Sequence, residues 1–325
     1  MAYMSSTYLI SVLLPCHSLK FLEKCIESIS NQSIKGEFFE VVIIADRVNP
    51  IEILSILKKY QLNFRVVESK VPGIVAALNL GIQEISSKYV VRMDEDDLME
   101  PTRIERQFKF MEKFPNTLAL GGQLQLIDEV GADLGVAHYR KNFGRSDFNI
   151  LRNSPIAHPA SIFRLDAVKS IGGYRDFLSE DWDLWVRLYE VGTIGNLKDV
   201  VLKYRIHPSQ LSREKMYSQN MSQRFVAASF YARASALEDH PKPGEDSIEW
   251  LERIEFELKE NSPRFNSFVT QIDRESKIAE ALQLTSKSDK TRRILHLACY
   301  QPISIFSYLS RILRTKLRGI LHTHL

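Results

Sequence analysis

Short apolar segments rich in β-branched residues alternate with amphipathic helical segments through the first hundred residues, and no other feature constrains the fold as strongly. This alternation is typical of βαβ units, which build a parallel sheet with helices packed on its faces. The predicted strands are nearly continuous apolar runs, as expected where helices cover both faces. Strands are predicted at residues 9–14, 40–45, 64–68 and 89–93, and helices at 19–30, 51–60 and 74–85.

Beyond residue 93 the pattern becomes less regular and then purely helical. Strands are predicted at 118–138, 155–164 and 200–205, and helices at 103–114, 166–171 and 179–191. Beyond about residue 212 the strand pattern stops, and helices are predicted at 224–237, 247–260 and 275–284. The sequence therefore predicts an α/β domain over residues 1–215 and an α-helical C-terminal extension over 216–285.

The last segment of the chain, residues 286–325, differs from the rest in charge. The whole chain has a net charge of only +3, which does not favour a nucleic-acid partner. Residues 287–325 nevertheless carry +7, because they hold eight Lys or Arg and one Asp, so the remainder is mildly acidic. Apolar residues recur there at helical spacing, while Arg311, Arg314 and Arg318 share another face. This basic amphipathic tail would bind an anionic membrane surface or pack its apolar face on the body of the protein.

Cysteine usage and hydropathy indicate a cytoplasmic protein. Cys16, Cys25 and Cys299 show no zinc-binding spacing and are expected to be reduced thiols. The first apolar run lacks a preceding basic segment and is interrupted by Pro15, so no signal peptide is expected. No stretch of 18 apolar residues predicts a transmembrane helix. We therefore expect a cytoplasmic location, at most peripheral on the inner face of the cell membrane.

An acidic run, Asp94-Glu95-Asp96-Asp97, directly follows a predicted buried strand. Ligands of open α/β sheets bind beyond the carboxyl ends of the strands. Carboxylates at that edge can hold a hard divalent cation, which in turn binds phosphates. The spacing of Asp94 and Asp96 directs both side chains to one side of an extended turn. The alternative is a solvated acidic loop.

A second acidic cluster, Glu180, Asp181 and Asp183, lies at the start of a predicted helix that also carries Trp182. An acid beside a large aromatic ring is a candidate general base, because its neighbours limit its solvation. The alternative is that these acids complement the helix dipole. His207, after the last strand of the domain, is a candidate ligand or an ordinary hydrogen-bonded histidine.

The order of these features resembles glycosyltransferase family 2, the large family of inverting transferases with the GT-A fold. The resemblance covers about residues 8–212 and implies a doubly wound mixed sheet, with a nucleotide-binding half over about 1–100 and an acceptor half over about 101–215. It is carried by residues 11–15, 22–28 with Gln32, 41–46, Gly73 with Asn79, 94–97 with Pro101, 172–174, 180–187, and 204–205 with His207.

The resemblance also implies roles for individual residues. Asp94 and Asp96 match the family's DxD pair, in which Asp94 would contact the ribose and Asp96 would ligate Mg²⁺ or Mn²⁺. Asp181 would be the catalytic base, with Glu180 beside it. The further residues implied are Pro15, His17, Asp46, Gly73 and Glu95 for the nucleotide-sugar, Asp94 and His207 for the metal or diphosphate, and His158 and Trp182 for the acceptor. For His158 and Trp182 a role in the core is an equally open interpretation.

Such a protein would transfer a sugar, expected from a UDP-sugar, to a hydroxyl of a glycan or lipid-linked acceptor in bacterial surface-polysaccharide synthesis. This sequence departs from the usual pattern of that family in two places. The family commonly has two acids, Gly and Ser after the second strand, where this chain has Ala45-Asp46-Arg47-Val48, and Arg47 would face either the donor or solvent. The QxxRW signature of processive synthases is absent, which favours addition of one sugar per encounter.

Two other functions remain open from the sequence. A nucleotidyltransferase shares a doubly wound core and an acidic metal site, but residues 15–19 contain none of the glycines typical of its phosphate loop. A non-catalytic carbohydrate- or nucleotide-binding protein would have kept the fold, although Asp94, Asp96 and Asp181 are all present.

Overall fold

The computed structural model describes residues 8–34, 38–143, 147–176, 179–207, 219–242 and 244–285. The chain divides into two compact units, residues 1–214 and 215–325. The first contains a mixed α/β sheet and the second contains helices. The amphipathic tail predicted at 286–325 lies outside the described residues. Among the described residues, no helix combines the length and hydropathy needed to cross a membrane.

The first half of the α/β unit contains the predicted strands and helices, with ends that differ by at most three residues. All seven residues of the first two strands are buried, which explains their continuous apolar sequence. The elements are β1 Ile10–Cys16, α1 Leu22–Ser30, β2 Phe39–Ala45, α2 Pro50–Leu57, β3 Asn63–Glu68, α3 Ile74–Glu84 and β4 Tyr89–Arg92.

The second half of this unit adds strands of two to thirteen residues and, among the described residues, three α-helices. Its elements are β5 Leu98–Met99, α4 Arg103–Lys113, β6 Thr117–Ile127, β7 Asp133–Ala137, β8 Ile162–Arg164, α5 Leu165–Ser170, α6 Glu180–Val191 and β9 Thr193–Arg205. The strand predicted at 155–164 is reduced to β8, because residues 158–160 form a 3₁₀ turn around Pro159. The strand predicted at 200–205 instead begins at Thr193, since β9 pairs with β6 from Thr117 to Ile127.

One mixed sheet joins these strands in the order β3-β2-β1-β4-β8-β6-β9-β5, with β7 paired to β6. β1 pairs in parallel with β2 and β4, whereas β8 is antiparallel to both β4 and β6. The fold class predicted from the sequence is therefore confirmed. Because β1, β2 and β4 are parallel, their carboxyl ends share one edge, where the residues after Cys16, Ala45 and Arg92 lie close together.

A close helix–strand contact and a buried arginine hold the centre of this sheet. A Cβ at Gly81 of α3 would lie 2.2 Å from Cδ1 of Leu13, so a larger residue at this position would require the buried Leu13 side chain to move. The fully buried Arg103 of α4 donates from Nη2 to the carbonyls of Arg92 and Ser161, at 2.8 and 3.1 Å. Arg103 thereby joins the end of β4 to the residue that precedes β8.

The second unit consists, among the described residues, of α7 Gln219–Ala234, α8 Ser247–Asn261 and α9 Pro263–Thr285. Phe225 stacks on Trp250 with ring centroids 5.9 Å apart. The Arg224 guanidinium forms an ion pair with the buried carboxylate of Glu255, its Nε donating at 2.7 Å. The last helix begins twelve residues earlier than predicted; its first residue is Pro263, which suits the first turn because that position needs no donor.

Candidate active site

The acidic run 94–97 forms a turn beyond β4, and Arg205 at the end of β9 fixes its backbone. The Arg205 amide donates to Oδ1 of Asp97 and its Nε donates to the carbonyl of Asp96, both at 2.8 Å. Nη1 of the same guanidinium donates to the carbonyls of Asp128 and Glu129 at 3.0 Å. The acidic turn is thus held through one arginine from a distant strand.

Three carboxylates of this turn lie close enough to share a cation. One oxygen from each of Asp94, Asp96 and Asp97 falls within 4.8 Å of the others. Burial and the neighbouring Asp94 raise the pKa of Asp96 to about 6, and burial with Asp96 raises the pKa of Asp97 well above its usual range. Oδ2 of the fully buried Asp97 has no hydrogen-bond partner among the described residues. Crowded, undersatisfied carboxylates of this kind fit a hard divalent cation such as Mg²⁺ or Mn²⁺.

His207 lies beside these three carboxylates and contacts one of them, that of Asp96. Its Nε2 is 2.8 Å from Oδ2 of Asp96, and its ring packs against Phe21 with centroids 5.3 Å apart. The sequence predicted Asp94, Asp96 and His207 as metal ligands, whereas the three-carboxylate group contains Asp97 in addition to the two predicted acids. Direct ligation by His207 stays a prediction.

The residues predicted to hold the nucleotide lie at the ends of β1 and β2. Asp46 is buried, and its Oδ2 accepts a hydrogen bond from the amide of Gly73 at 3.0 Å. Its Oδ1 has no hydrogen-bond partner among the described residues, although Nε of the exposed Arg47 lies 3.3 Å away. Gly73 has φ +112°, a conformation that favours glycine, and α3 begins at the next residue.

His17 links the end of β1 to the acidic turn. Its Nδ1 lies 2.6 Å from Oε1 of Glu95, and this hydrogen bond raises the pKa of His17. Pro15 is buried in β1, where it pairs with Ile44. The structure therefore connects Asp46 to Gly73 and His17 to Glu95 at the shared carboxyl edge of the sheet.

The predicted base, Asp181, lies in the first turn of α6. Burial and the adjacent Glu180 raise its pKa to about 7, and the amide of Trp182 and the charge of Arg92 oppose the shift. A carboxylate with this pKa is half-ionised near neutral pH, which suits proton abstraction. The neighbouring Asp183 differs: it is buried and accepts from Nε of Arg187 at 2.8 Å, so its contacts stabilise the helix.

Asn79 positions the loop before α6. Its side-chain amide donates to the carbonyl of Tyr174 at 2.7 Å and accepts from the amide of the same residue at 2.9 Å. The Arg187 guanidinium donates to the carbonyls of Ile171 and Gly173 at 2.9 and 2.8 Å. Helix α3, which begins beside Asp46, is thereby joined to the loop that leads to Asp181.

Arg92, which sequence reasoning did not select, interacts electrostatically with both acidic clusters. Its Nη1 is 2.5 Å from Oδ1 of Asp94, and its charge also lowers the pKa of Asp181. Asp94 and Asp181, 87 positions apart in the sequence, therefore both lie within electrostatic reach of one buried guanidinium. The signal that would have found Arg92 is a charged residue at the end of an otherwise apolar strand.

His158 and Trp182, the predicted acceptor residues, are buried and hydrogen-bonded. Nε2 of His158 lies 2.9 Å from the hydroxyl of Tyr174, and burial lowers the pKa of His158 well below its usual range. The indole of Trp182 donates to the carbonyl of Ile150 at 2.7 Å. A role of either in acceptor binding stays a prediction. Tyr139 was also missed: burial and the charge of Asp181 raise its pKa, so its ring lies near the predicted base.

Comparison with known proteins identifies the family. Residues 11–172 match the model of Glycosyl transferase family 2. The O-antigen biosynthesis glycosyltransferase WbnJ of Escherichia coli is 34% identical over 208 residues, which span 61% of this chain and 80% of WbnJ. The chain belongs to glycosyl transferase family 2. It is a glycosyltransferase, and the resemblance stated from the sequence is confirmed.

One further relative of this family 2 enzyme and one solved structure of similar fold complete the comparison. An Escherichia coli UDP-Gal:alpha-D-GlcNAc-diphosphoundecaprenol beta-1,3-galactosyltransferase is 27% identical, with 59% of this chain and 71% of that protein covered. The mannosyltransferase PcManGT of Pyrobaculum calidifontis, solved with GDP-Man and Mn²⁺, has a TM-score of 0.54 at 15% identity, covering 92% of this chain and 83% of that one. The solved structure supports the GT-A fold.

Proposed function

We propose that this glycosyltransferase moves a sugar from a nucleotide-diphospho-sugar to an acceptor hydroxyl, with inversion at the anomeric carbon and Asp181 as the base. The observation that carries the proposal is the convergence of two acids on Arg92. Asp94 belongs to the carboxylate group suited to a diphosphate-bound cation, and Asp181 has a pKa of about 7. A donor sugar between them would have its leaving group toward Asp94 and its opposite face toward the base.

Donor binding would use the carboxyl edge of the sheet. The unpartnered Oδ1 of Asp46 can accept a hydrogen bond from an N–H of the nucleotide base. Pro15 and Gly73 would line the base pocket, while His17 and Glu95 would lie beside the ribose and diphosphate. Both His17 and Glu95 are already fixed by their mutual contact, so little side-chain entropy would be lost on binding.

A divalent cation fits the acidic turn. Asp94, Asp96 and Asp97 would hold Mg²⁺ or Mn²⁺, with His207 adjacent through its contact with Asp96. When bound, the cation supplies positive charge that neutralises the diphosphate and favours its departure. PcManGT, which is solved with Mn²⁺, supports this proposal.

Asp181 would remove the proton of the acceptor hydroxyl as its oxygen bonds to the anomeric carbon. The bond from that carbon to the diphosphate breaks in the same displacement, and the nucleoside diphosphate departs with the bonding electrons. A single base and an in-line attack give inversion without a covalent sugar–enzyme intermediate. Base assistance of this kind contributes roughly 10²–10⁴-fold in rate.

The names of relatives support the substrate class. One is a UDP-Gal transferase that acts on a diphosphoundecaprenol-linked GlcNAc, and another belongs to O-antigen biosynthesis. We therefore propose a UDP-sugar donor and a glycan or lipid-linked acceptor in bacterial surface-polysaccharide synthesis. The basic sequence of residues 287–325 supports recruitment to the inner face of an anionic membrane, where such an acceptor would reside.

The test is a thermal-shift panel of nucleoside diphosphates and nucleotide-sugars with Mn²⁺ or EDTA, followed by product analysis with the best donor. We expect stabilisation by one nucleotide series that depends on Mn²⁺, and release of a nucleoside diphosphate during transfer. Release of pyrophosphate would identify a nucleotidyltransferase instead. Turnover that EDTA leaves unchanged would contradict the metal assignment, and donor binding without any turnover would favour a non-catalytic binding protein.

A further inference from the structure

Arg92 is a charged side chain where the fold favours an apolar one. It ends β4, whose four residues are all buried, and it is only 3% exposed. Both of its backbone groups have hydrogen-bond partners, because its amide donates to the carbonyl of Ser161 at 2.9 Å and its carbonyl accepts from the side chain of Arg103. A buried guanidinium stays charged and retains its five N–H donors, so its hydrogen-bond partners must be accounted for.

The N–H donors of Arg92 are only partly satisfied by the residues that the structure describes. Its Nη1 lies 2.5 Å from Oδ1 of Asp94 as an ion pair, yet neither Nε nor Nη1 has a well-directed hydrogen-bond acceptor in the part of the chain that the structure describes. No other arginine among the described residues has a buried N–H group that lacks such an acceptor. Buried side-chain donors nearly always find partners, so those of Arg92 point to an acceptor that a ligand supplies.

Two other buried arginines of the same region provide the contrast. Arg103 donates from Nε to Gln107, from Nη1 to the sulfur of Met93 and from Nη2 to two carbonyls. Arg205 donates to three backbone carbonyls of the acidic turn and the β6–β7 turn. Both are therefore structural, whereas Arg92 has donors available.

The position of Arg92 identifies the acceptor group. It contacts Asp94, on the side where the diphosphate would be held, and its charge acts on Asp181, on the side of the base. The part of the donor that spans these two places is the transferred sugar. We propose that Arg92 binds the transferred sugar of the donor, the N–H groups that lack a well-directed acceptor donating to the sugar oxygens, and thereby fixes the anomeric carbon between diphosphate and base. This inference rests on the proposed function.

The experiment compares affinities for a nucleotide-sugar and for the matching nucleoside diphosphate. Full-length wild type, Arg92→Gln and Arg92→Lys would be titrated calorimetrically with Mn²⁺ present, using the nucleotide-sugar that best stabilises the wild type in a panel of UDP-, GDP-, ADP- and dTDP-sugars. The matched control is Arg65→Gln, since Arg65 is a guanidinium on β3 that pairs with Glu40 at 3.0 Å.

We expect Arg92→Gln to weaken binding of the nucleotide-sugar about tenfold or more, ~1.4 kcal/mol, while binding of the nucleoside diphosphate changes less than about threefold. Arg92→Lys keeps the charge but loses the planar fork, so we expect a smaller loss, still confined to the nucleotide-sugar. If Arg92→Gln fails to fold, the lysine variant decides. Arg65→Gln should change neither affinity.

Equal weakening of both ligands would overturn the proposal, because it would indicate contact with the diphosphate or a disturbed acidic turn. Unchanged affinity for both would overturn it as well. If the wild type binds no nucleoside diphosphate or nucleotide-sugar of the panel, the proposed function fails and the role of Arg92 fails with it, so the two failures are distinguishable.

Discussion

Asp181 and Asp183 lie two residues apart at the start of α6, and the structure predicts opposite effects on stability when each is replaced by asparagine. Asp181 has a pKa raised by burial and by Glu180 to about 7, so its ionised form is unfavourable in the folded state. Asp183 is 1% exposed and accepts hydrogen bonds from Arg187 at 2.8 and 2.7 Å. Asp181→Asn should abolish transfer and stabilise the fold, whereas Asp183→Asn should destabilise it.

The magnitude for Asp181 follows from the two pKa values. The folded protein retains this proton up to about pH 7, whereas the unfolded chain releases it near pH 4. The contribution of Asp181 to the free energy of unfolding is therefore greatest below about pH 4. It decreases as the pH rises to 7, by at most ~4 kcal/mol. Because Asp181 keeps some solvent contact, we expect Asp181→Asn to raise the free energy of unfolding by roughly 1–2 kcal/mol at pH 8, and by about a third of that at pH 5.

The same substitution removes the proposed base, so transfer should fall by roughly 10²–10⁴-fold while nucleoside-diphosphate binding stays within about threefold. Asp183→Asn leaves the buried Arg187 without its counter-charge and should lower stability by about 3 kcal/mol. Urea unfolding at pH 5 and pH 8, with donor titration and transfer assays on the same samples, measures all of these effects. A loss of stability in Asp181→Asn at pH 8, or a loss of donor binding, would refute the assignment of Asp181 as a base whose ionised form is unfavourable in the folded protein.

Three further outcomes are expected. At saturating Mn²⁺, kcat/KM should rise with pH to a plateau above about 7, because the base must be ionised; a flat profile from pH 5.5 to 8 would contradict this role. Asn79→Ala should lower the free energy of unfolding by about 1–3 kcal/mol in urea titrations, and should reduce kcat, since the backbone amide and carbonyl of Tyr174 lose their partners. Truncation after Thr285 should abolish flotation with anionic liposomes while leaving donor binding intact; unchanged flotation would exclude the tail as the membrane contact.

The first half of the α/β unit could be predicted closely because local and tertiary preferences agree there. Strands such as β1 and β2 are buried along their whole length, so their apolar runs leave no competing interpretation. The second half of this unit was less predictable for a physical reason. The first seven residues of β9 include Gly195, Lys198 and Asp199, which carry little strand propensity. Residues 193–196 are extended because they pair with β6, whereas residues 197–199 lie at an irregularity of that pairing, which resumes at Val200.

The residues of the candidate site also fall into those that the sequence could predict and those that it could not. Asp94, Asp96 and Asp181 stand out because acids after a buried strand or before a helix form visible patterns in the sequence. Arg92 and Tyr139 do not, because their relation to Asp181 exists only after the sheet and the hairpin have folded. A charge at the end of an apolar strand is compatible with a surface position, and only its 3% exposure reveals that it is buried.

Arg205 holds the acidic turn with few contacts to its carboxylates, so most of the carboxylate oxygens can still contact a cation. Arg205 binds the turn through the carbonyl of Asp96 and one oxygen of Asp97, and so fixes the backbone while neutralising little of the carboxylate charge. The pKa of Asp96 rises to about 6 because its carboxylate is buried and because the carboxylate of Asp94 lies close to it. Arg92 and His207 do pair with Asp94 and Asp96, yet the pKa of Asp96 stays raised in spite of the His207 contact. The burial and repulsion that these contacts leave uncompensated are what a bound cation would relieve.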